Sequence, residues 1–342
     1  MNKSILTLAT FIFIISCKSN KEISNDEVTS DTDIITKFAK TITTEDAKKH
    51  ILILASDEFE GRRTGEKGQK LAAEYLVNEY KSYGISGVYG EDNYFQNIPV
   101  ESLNKKSSGP SENVIAFIEG SQNPEEILVI SSHYDHEGIK NGQIYNGADD
   151  NASGTTGVLE IAQAFALAKK QGYAPKRSIL FVNFTGEEKG LLGSKYFVAN
   201  PIYPLENIVA GLNIDMIGRI GKEKIGNDNY VYVIGADKLS SELHIINENA
   251  NNKYTNLELD YTYNEPSDPN RFYFRSDHYN LAKNNIPIIF YFNGIHADYH
   301  KPTDTAEKIN LELLTKRTKL VFYTAWEIAN REERLVIDKI EE

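Results

Sequence analysis

The sequence predicts an α/β fold, a mostly parallel, mixed central sheet with helices on both faces. Three observations predict it. Short apolar runs rich in β-branched residues alternate with segments of helical period from residue 114 onward. Those runs are continuously apolar, as strands covered on both faces must be. No long Pro- or Gly-rich linker interrupts the later part of the 342-residue chain, so a single domain over residues 34–342 is the simplest division.

The first residues read as an address. Lys3 precedes an apolar stretch at 5–15, then Ser16-Cys17, and the chain turns polar. That stretch is too short to span a bilayer and fits a secretory h-region. Cys17, the only cysteine, stands where the lipobox cysteine stands in bacterial lipoproteins. The expectation is a signal peptide over 1–17, cut before Cys17, with lipid on Cys17 anchoring the chain to the membrane. The protein would then be exported to the bacterial cell envelope, at the periplasmic or outer-membrane surface. Residues 18–33 are charged and poor in aromatics, and read as a flexible tether. A lone cysteine allows no intrachain disulfide, so any metal site needs nitrogen and oxygen ligands. The formal net charge of −12 argues against a nucleic-acid partner, which would require a basic face.

Within the domain, Thr44-Glu45-Asp46 looks like a helix start, and 66–83 is an amphipathic helix with Leu71, Ala72, Tyr75, Leu76 and Tyr80 at helical spacing. Strands are expected at 114–118, 127–131, 179–184, 208–214, 230–234 and 286–292. Helices are expected at 154–170, 191–198, 239–250, 277–284 and 311–331.

The chemistry gathers where strands end. In open α/β sheets ligands bind beyond the carboxyl ends of the strands. His133 and Asp135 follow one predicted strand, Glu187-Glu188 a second and Asp215 a third; a fourth leads into the loop carrying Tyr299-His300. Asp149-Asp150 lies in the turn that opens the helix at 154. Alone, most have a structural explanation: a surface histidine, or a capping turn in which Asp and Asn are favoured. Two are harder to explain so. Adjacent Glu187 and Glu188 repel unless a dication offsets them, and Asp215 sits in the apolar run Ile214-Asp215-Met216-Ile217, where an unpaired carboxylate is costly. Ser276-Asp277-His278 suggests a hydrolase triad, but consecutive residues cannot converge as a triad does and no GxSxG is present. Asp277 and His278 are expected to line a pocket or cap a helix. Arg271 and Arg275, flanking Phe272, Tyr273 and Phe274, either hold a substrate carboxylate or form a solvated loop.

The motifs HYD (133–135), GADDNASG (147–154), GEE (186–188), NIDMIG (213–218) and YHKPTD (299–304) together resemble the co-catalytic di-zinc aminopeptidases. That family includes secreted bacterial leucyl aminopeptidases and glutamate carboxypeptidase II-like peptidases. The segments LASDEFEGRRTGEKGQKLAAEYL (54–76) and RSDHYNLAKNNIPIIFYFNG (275–294) are also similar to the family. The resemblance implies a zinc-exopeptidase fold and two Zn²⁺ per chain. Asp150, rather than Asp149, would bridge the ions; His133 and Asp215 would complete one, Glu188 and His300 the other. It further implies a cis Asp150–Asn151 peptide, Asp135 as the partner of His133, and Tyr299 as donor to the oxyanion. Glu187 would be the general base for a water shared by the ions, attacking peptide substrates at their N-terminal residue. The alternatives are a carboxypeptidase- or dipeptidase-like enzyme on the same site, a one-metal glutaminyl cyclase, and a non-catalytic relative. Retention of His133 with Asp215 favours two ions over one, and retention of every ligand and the base disfavours the last.

Overall fold

The computed structural model describes residues 31–339; the expected signal segment, Cys17 and residues 18–30 of the tether lie outside the described residues. The helices are α1 (Asp31–Ala39), α2 (Thr44–Leu54), α3 (Lys67–Tyr83), α4 (Gly154–Lys170), α5 (Leu192–Ala199), α6 (Ser241–Ala250), α7 (His278–Ala282) and α8 (Leu311–Asn330). The strands are β1 (Ser86–Gly87), β2 (Phe95–Ile98), β3 (Ser111–Ile118), β4 (Asn123–His133), β5 (Gly138–Lys140), β6 (Gln143–Tyr145), β7 (Arg177–Phe184), β8 (Ile208–Ile214), β9 (Tyr230–Ile234), β10 (Glu258–Asp260) and β11 (Ile288–Phe292). Among the described residues no helix is long and apolar enough to cross a membrane.

Local chemistry accounts for the helix ends. Thr43 caps α2 by accepting from the Asp46 N–H at 3.1 Å, and Asn310 caps α8 by accepting from Leu313 at 3.0 Å. Gly84, left-handed at φ 75°, ends α3.

Nine strands form one mixed sheet in the order β1-β3-β7-β4-β8-β11-β9-β10, with β2 also paired to β3. At its centre β7, β4, β8 and β11 run parallel to one another. Antiparallel pairing begins outside them, at β3 beside β7 and β9 beside β11. Strand residues alternate between two cores. Leu128, Ile130, Ile179 and Phe181 join one core with Phe165, Phe322 and Ile328. Ile127, Val129, Leu180 and Val182 join the other with Phe197, Leu281 and Phe290. So α4 and α8 cover one face and α5 and α7 the other, as the mostly parallel, two-sided reading requires.

Several boundaries differ from expectation. Helix α1 begins at Asp31, inside the stretch read as tether, because Ile35 and Phe38 are buried in the first core. The strand expected at 286–292 starts at Ile288, since Pro287 has no N–H to give a ladder. The helix expected at 277–284 shortens to α7. Short β1, β2, β5, β6 and β10 were not expected, being too brief for periodicity to register.

Candidate metal centre and active site

The parallel strands β7, β4, β8 and β11 deliver the functional side chains to one edge. His133 is the last residue of β4, and Asp215 follows β8 directly. Glu187 and Glu188 come after β7, past the left-handed Gly186 (φ 68°). His300 lies in the loop after β11. Asp150 sits in the irregular turn Ala148–Ser153 that opens α4, and its peptide bond to Asn151 is cis. Asn151 ties that turn to the end of β8: it accepts from the Gly154 and Met216 N–H groups at 2.9 and 3.0 Å and donates to the Ile214 carbonyl at 3.0 Å.

The expected ligands form two groups that share Asp150. His133 Nε2 lies 3.4 Å from Asp150 Oδ1 and 3.3 Å from Asp215 Oδ1. On the other side His300 Nε2 lies 2.9 Å from Asp150 Oδ2 and 3.3 Å from Glu188 Oε1. Donors bonded to one cation at about 2.0–2.2 Å in a tetrahedron stand roughly 3.3 Å apart, so both groups fit a divalent ion. Glu188 Oε1, moreover, is buried and has no hydrogen-bond partner among the described residues.

Electrostatics point the same way. Burial pulls the His300 imidazole down, but Asp150 and Glu188 raise it to about 10. Burial likewise opposes a strong upward push on His133 from Asp215 and Glu187. Burial and Asp150 raise the Glu188 carboxyl, yet the His136 and His300 rings bring it to about 2. The cluster calls for positive charge, which protonated histidines or bound cations can supply.

Asp149 and Asp150 separate. Asp149 Oδ1 accepts from the Gly218 N–H at 2.7 Å and Oδ2 faces His296 Nε2 at 3.2 Å, away from both groups. Asp304 Oδ2 accepts from the N–H groups of Asp149 and Asp150 at 3.0 and 3.2 Å, which fixes their backbone.

Asp135 meets His133 as expected, chiefly through its backbone. Its carboxylate stands 3.8 Å from His133 Nδ1, while its own carbonyl is nearer at 3.1 Å. The carboxylate instead accepts from Thr64 Oγ1 at 2.6 Å and from the Glu187 N–H at 3.1 Å. Asp135 therefore orients His133 through its backbone and positions the Glu187 loop through its side chain. The Glu187 carboxylate makes no hydrogen bond or ion pair among the described residues. Burial, with Glu188, Asp215 and Asp277, pushes it well above the ordinary carboxylate range against the pull of His133.

Ser276 donates to Asp215 Oδ2 at 2.7 Å, and His278 faces the Tyr273 carbonyl at 2.8 Å while stacking on Phe290. The three-residue string is thus no triad, and His278 belongs to the core rather than the pocket. Asp277 is buried and makes no side-chain cap to α7. The two arginines divide. Arg271 lies over Phe274, outside the catalytic pocket, whereas Arg275 lies over Phe272 and donates to Tyr299 Oη at 3.4 Å. The Tyr299 ring stacks on His300 with centroids 3.9 Å apart.

A small pocket opens beside Asp150, Glu187 and Asp215, and Met216, Phe290, Phe292 and Ile295 give it an apolar wall. Two neighbours of the site carried no distinctive sequence signal. Arg62, wholly buried, donates to the carbonyls of Tyr134, Asn146 and Gly147. His136 projects its ring toward Glu188, with Nδ1 2.9 Å from Oε1. Its place three residues after His133 was visible, but a loop offers no period from which to infer direction.

A model of peptidase family M28 matches residues 113–325, more than half of the chain. The chain belongs to peptidase family M28. The resemblance read from the five motifs is thereby borne out. This M28 chain is 29% identical over 265 residues to a "Probable leucine aminopeptidase" of Arthroderma otae, a match covering 75% of this chain and 66% of that one. It is 28% identical over 244 residues to a "Probable zinc metalloprotease" of Pyrenophora teres f. teres, covering 64% of this chain and 48% of that one. The chain thus spans about two thirds of the length of the first relative and about half of the second. The solved structure of the LapA aminopeptidase of Legionella pneumophila superposes with a TM-score of 0.68 at 21% identity, covering 89% of this chain and 76% of that one. That likeness establishes the fold.

Proposed function

We propose that this M28 chain is an aminopeptidase that holds two zinc ions and hydrolyses N-terminal residues from peptides. The observation that carries the reading is the division of labour between two adjacent carboxylates. Glu188 lies among histidines and Asp150, while Glu187, without a side-chain hydrogen bond or ion pair among the described residues, stands at the wall of the pocket that Asp150 also lines. The ligands would be His133, Asp150 and Asp215 for one ion, and Asp150, Glu188 and His300 for the other. Zinc agrees with the all-nitrogen-and-oxygen donor set and with the name of the Pyrenophora relative. Bound there, two divalent cations supply Lewis acidity and lower the pKa of a water toward ~7. Glu187 then takes a proton from the water attacking the scissile carbonyl and returns it to the leaving amine. The Thr64–Asp135–Glu187 hydrogen bonds hold that base in place. Arg275 can only donate to the Tyr299 oxygen, so the Tyr299 hydroxyl hydrogen is left to donate toward charge building on the carbonyl oxygen. The apolar wall suits one hydrophobic side chain.

Glu187→Gln tests the assignment. The variant is expected to keep its zinc content and to lose about 10²–10⁴ in kcat; near-normal turnover would refute the base.

One observation favours a second reading. Among the described residues Arg275 is the only basic side chain lining the pocket, and it has no carboxylate partner there. It suits a substrate carboxylate, as in dipeptides or peptides with an acidic first residue. Comparing such substrates with blocked, neutral ones in wild type and Arg275→Gln decides between the readings. As a proposal for location, lipid on Cys17 would anchor the enzyme to an envelope membrane, and Cys17→Ser should then move it to the soluble fraction.

A further inference from the structure

His136 lies inside the acidic centre, yet none of the roles above uses it. Its side chain is fully buried, and neither ring nitrogen has a hydrogen-bond partner among the described residues. A buried imidazole in that condition is costly unless something else meets its nitrogens. Nδ1 lies 2.9 Å from Glu188 Oε1 and 3.8 Å from Asp150 Oδ2. At 2.9 Å a hydrogen bond would be strong, but the angle is wrong for one, and Glu188 Oε1 is itself without a hydrogen bond. Two donor atoms that crowd each other without aiming at each other are arranged as ligands around a common point. His300 Nε2 completes the circle, 2.9 Å from Asp150 Oδ2 and 3.3 Å from Glu188 Oε1. The separations of the two histidines from Asp150 and Glu188 span 2.9–3.8 Å, around the roughly 3.3 Å edge of a tetrahedral zinc site, and His136, Asp150 and Glu188 bring ligand atoms together as a metal-competent group.

The ring is also held there. The His136 N–H donates to the Arg62 carbonyl at 3.1 Å, and the Arg62 guanidinium grips the carbonyls of Tyr134 and Gly147 on either side. Gly147 clears the space: a Cβ at that position would lie 2.5 Å from the His136 ring. Glu137 also brings a carboxylate oxygen near Glu188 and His300, but its Oε2 is paired to Lys140 and Lys189.

We propose that His136 is a direct ligand of the second cation, giving it four protein donors: Asp150, Glu188, His300 and His136. The inference rests on the two-cation reading of the site. It makes the centre unequal. The first position, with His133, Asp150 and Asp215, has three protein donors, whereas the second has four and would take up a shared water only by expanding to five-coordinate. The second position should therefore bind more tightly.

The test is a zinc titration against a competing chelator, combined with ¹¹³Cd–¹⁵N coupling in cadmium-loaded protein carrying ¹⁵N-histidine. Wild type is expected to hold two ions, with ring nitrogens of His133, His136 and His300 all coupled to cadmium. His136→Gln should lose the His136 coupling and weaken only the tighter site, by tenfold or more. The wild-type coupling does not depend on how the variant folds. Two bound ions with coupling at His133 and His300 alone, and unchanged affinities in His136→Gln, would overturn the ligand while leaving the two-cation centre intact. Fewer than two ions in wild type would overturn both.

Discussion

At the scale of single residues, Asp149 and Asp150 make the point most sharply. They are adjacent, buried carboxylates in one turn, and only Asp150 faces His133 and His300. Asp149 is spent on the Gly218 N–H and His296. Asp150→Asn is therefore expected to lose tight zinc binding at both positions. Asp149→Asn should keep two ions and lose roughly 1–3 kcal/mol of stability from buried groups left imperfectly paired. Metal analysis beside urea unfolding checks this, and equal metal loss in both variants would contradict it. Spacing could not separate the two, because neighbours in an irregular turn have no period that says where each points; the motif match could. The same gap hid His136, and it hid the further partners of the Asp135 carboxylate, Thr64 and Glu187, which are far from it in sequence.

Elements were more legible than contacts. Strands β4, β7, β8, β9 and β11 were readable because burial on both faces leaves them continuously apolar, and α4 emerged with its expected bounds. What no pattern revealed is the polar seam between α2 and α4. There Glu160 is buried, accepts from the Thr43 N–H at 3.1 Å and lies 3.6 Å from His50. Burial raises the Glu160 carboxyl from 4.5 to about 8. Its contribution to stability is thus full below about pH 4.5 and is lost as pH rises through about 8. His50 has the opposite sign: burial lowers it from 6.5 to about 4, so its contribution is full above 6.5 and is lost as pH falls through about 4. Glu160→Gln should remove the alkaline loss, gaining a few kcal/mol on wild type between pH 5 and pH 9, on the order of 1.4 kcal/mol per pKa unit. Unfolding curves across that range measure it, and parallel curves for the two proteins would contradict it.

For the whole molecule, the parallel heart of the sheet concentrates charge at one edge. Asp135, Asp149, Asp277 and Asp304 stand around the four carboxylates of the centre, and Asp277 is pushed up to about 7 by burial. The buried Arg62 guanidinium interacts with Asp150, Asp135, Asp304 and Glu188 and offsets part of this. Bound cations should supply the rest, so metal and fold are coupled. A ligand at 100 times its Kd stabilises the native state by about 2.7 kcal/mol. Chelation is accordingly expected to lower Tm by roughly 5 °C or more, restored by zinc; a Tm indifferent to chelator would leave the acidic centre unexplained. The central claim is that this centre removes residues from free N-termini. Mass spectrometry of the products from one leucine-headed peptide and its N-acetylated twin, with and without chelator, tests it most directly. Stepwise loss of N-terminal residues from the free peptide alone, abolished by chelator, is the expected result. Cleavage of the acetylated twin at the same rate, or loss of residues from the C-terminus, would contradict it.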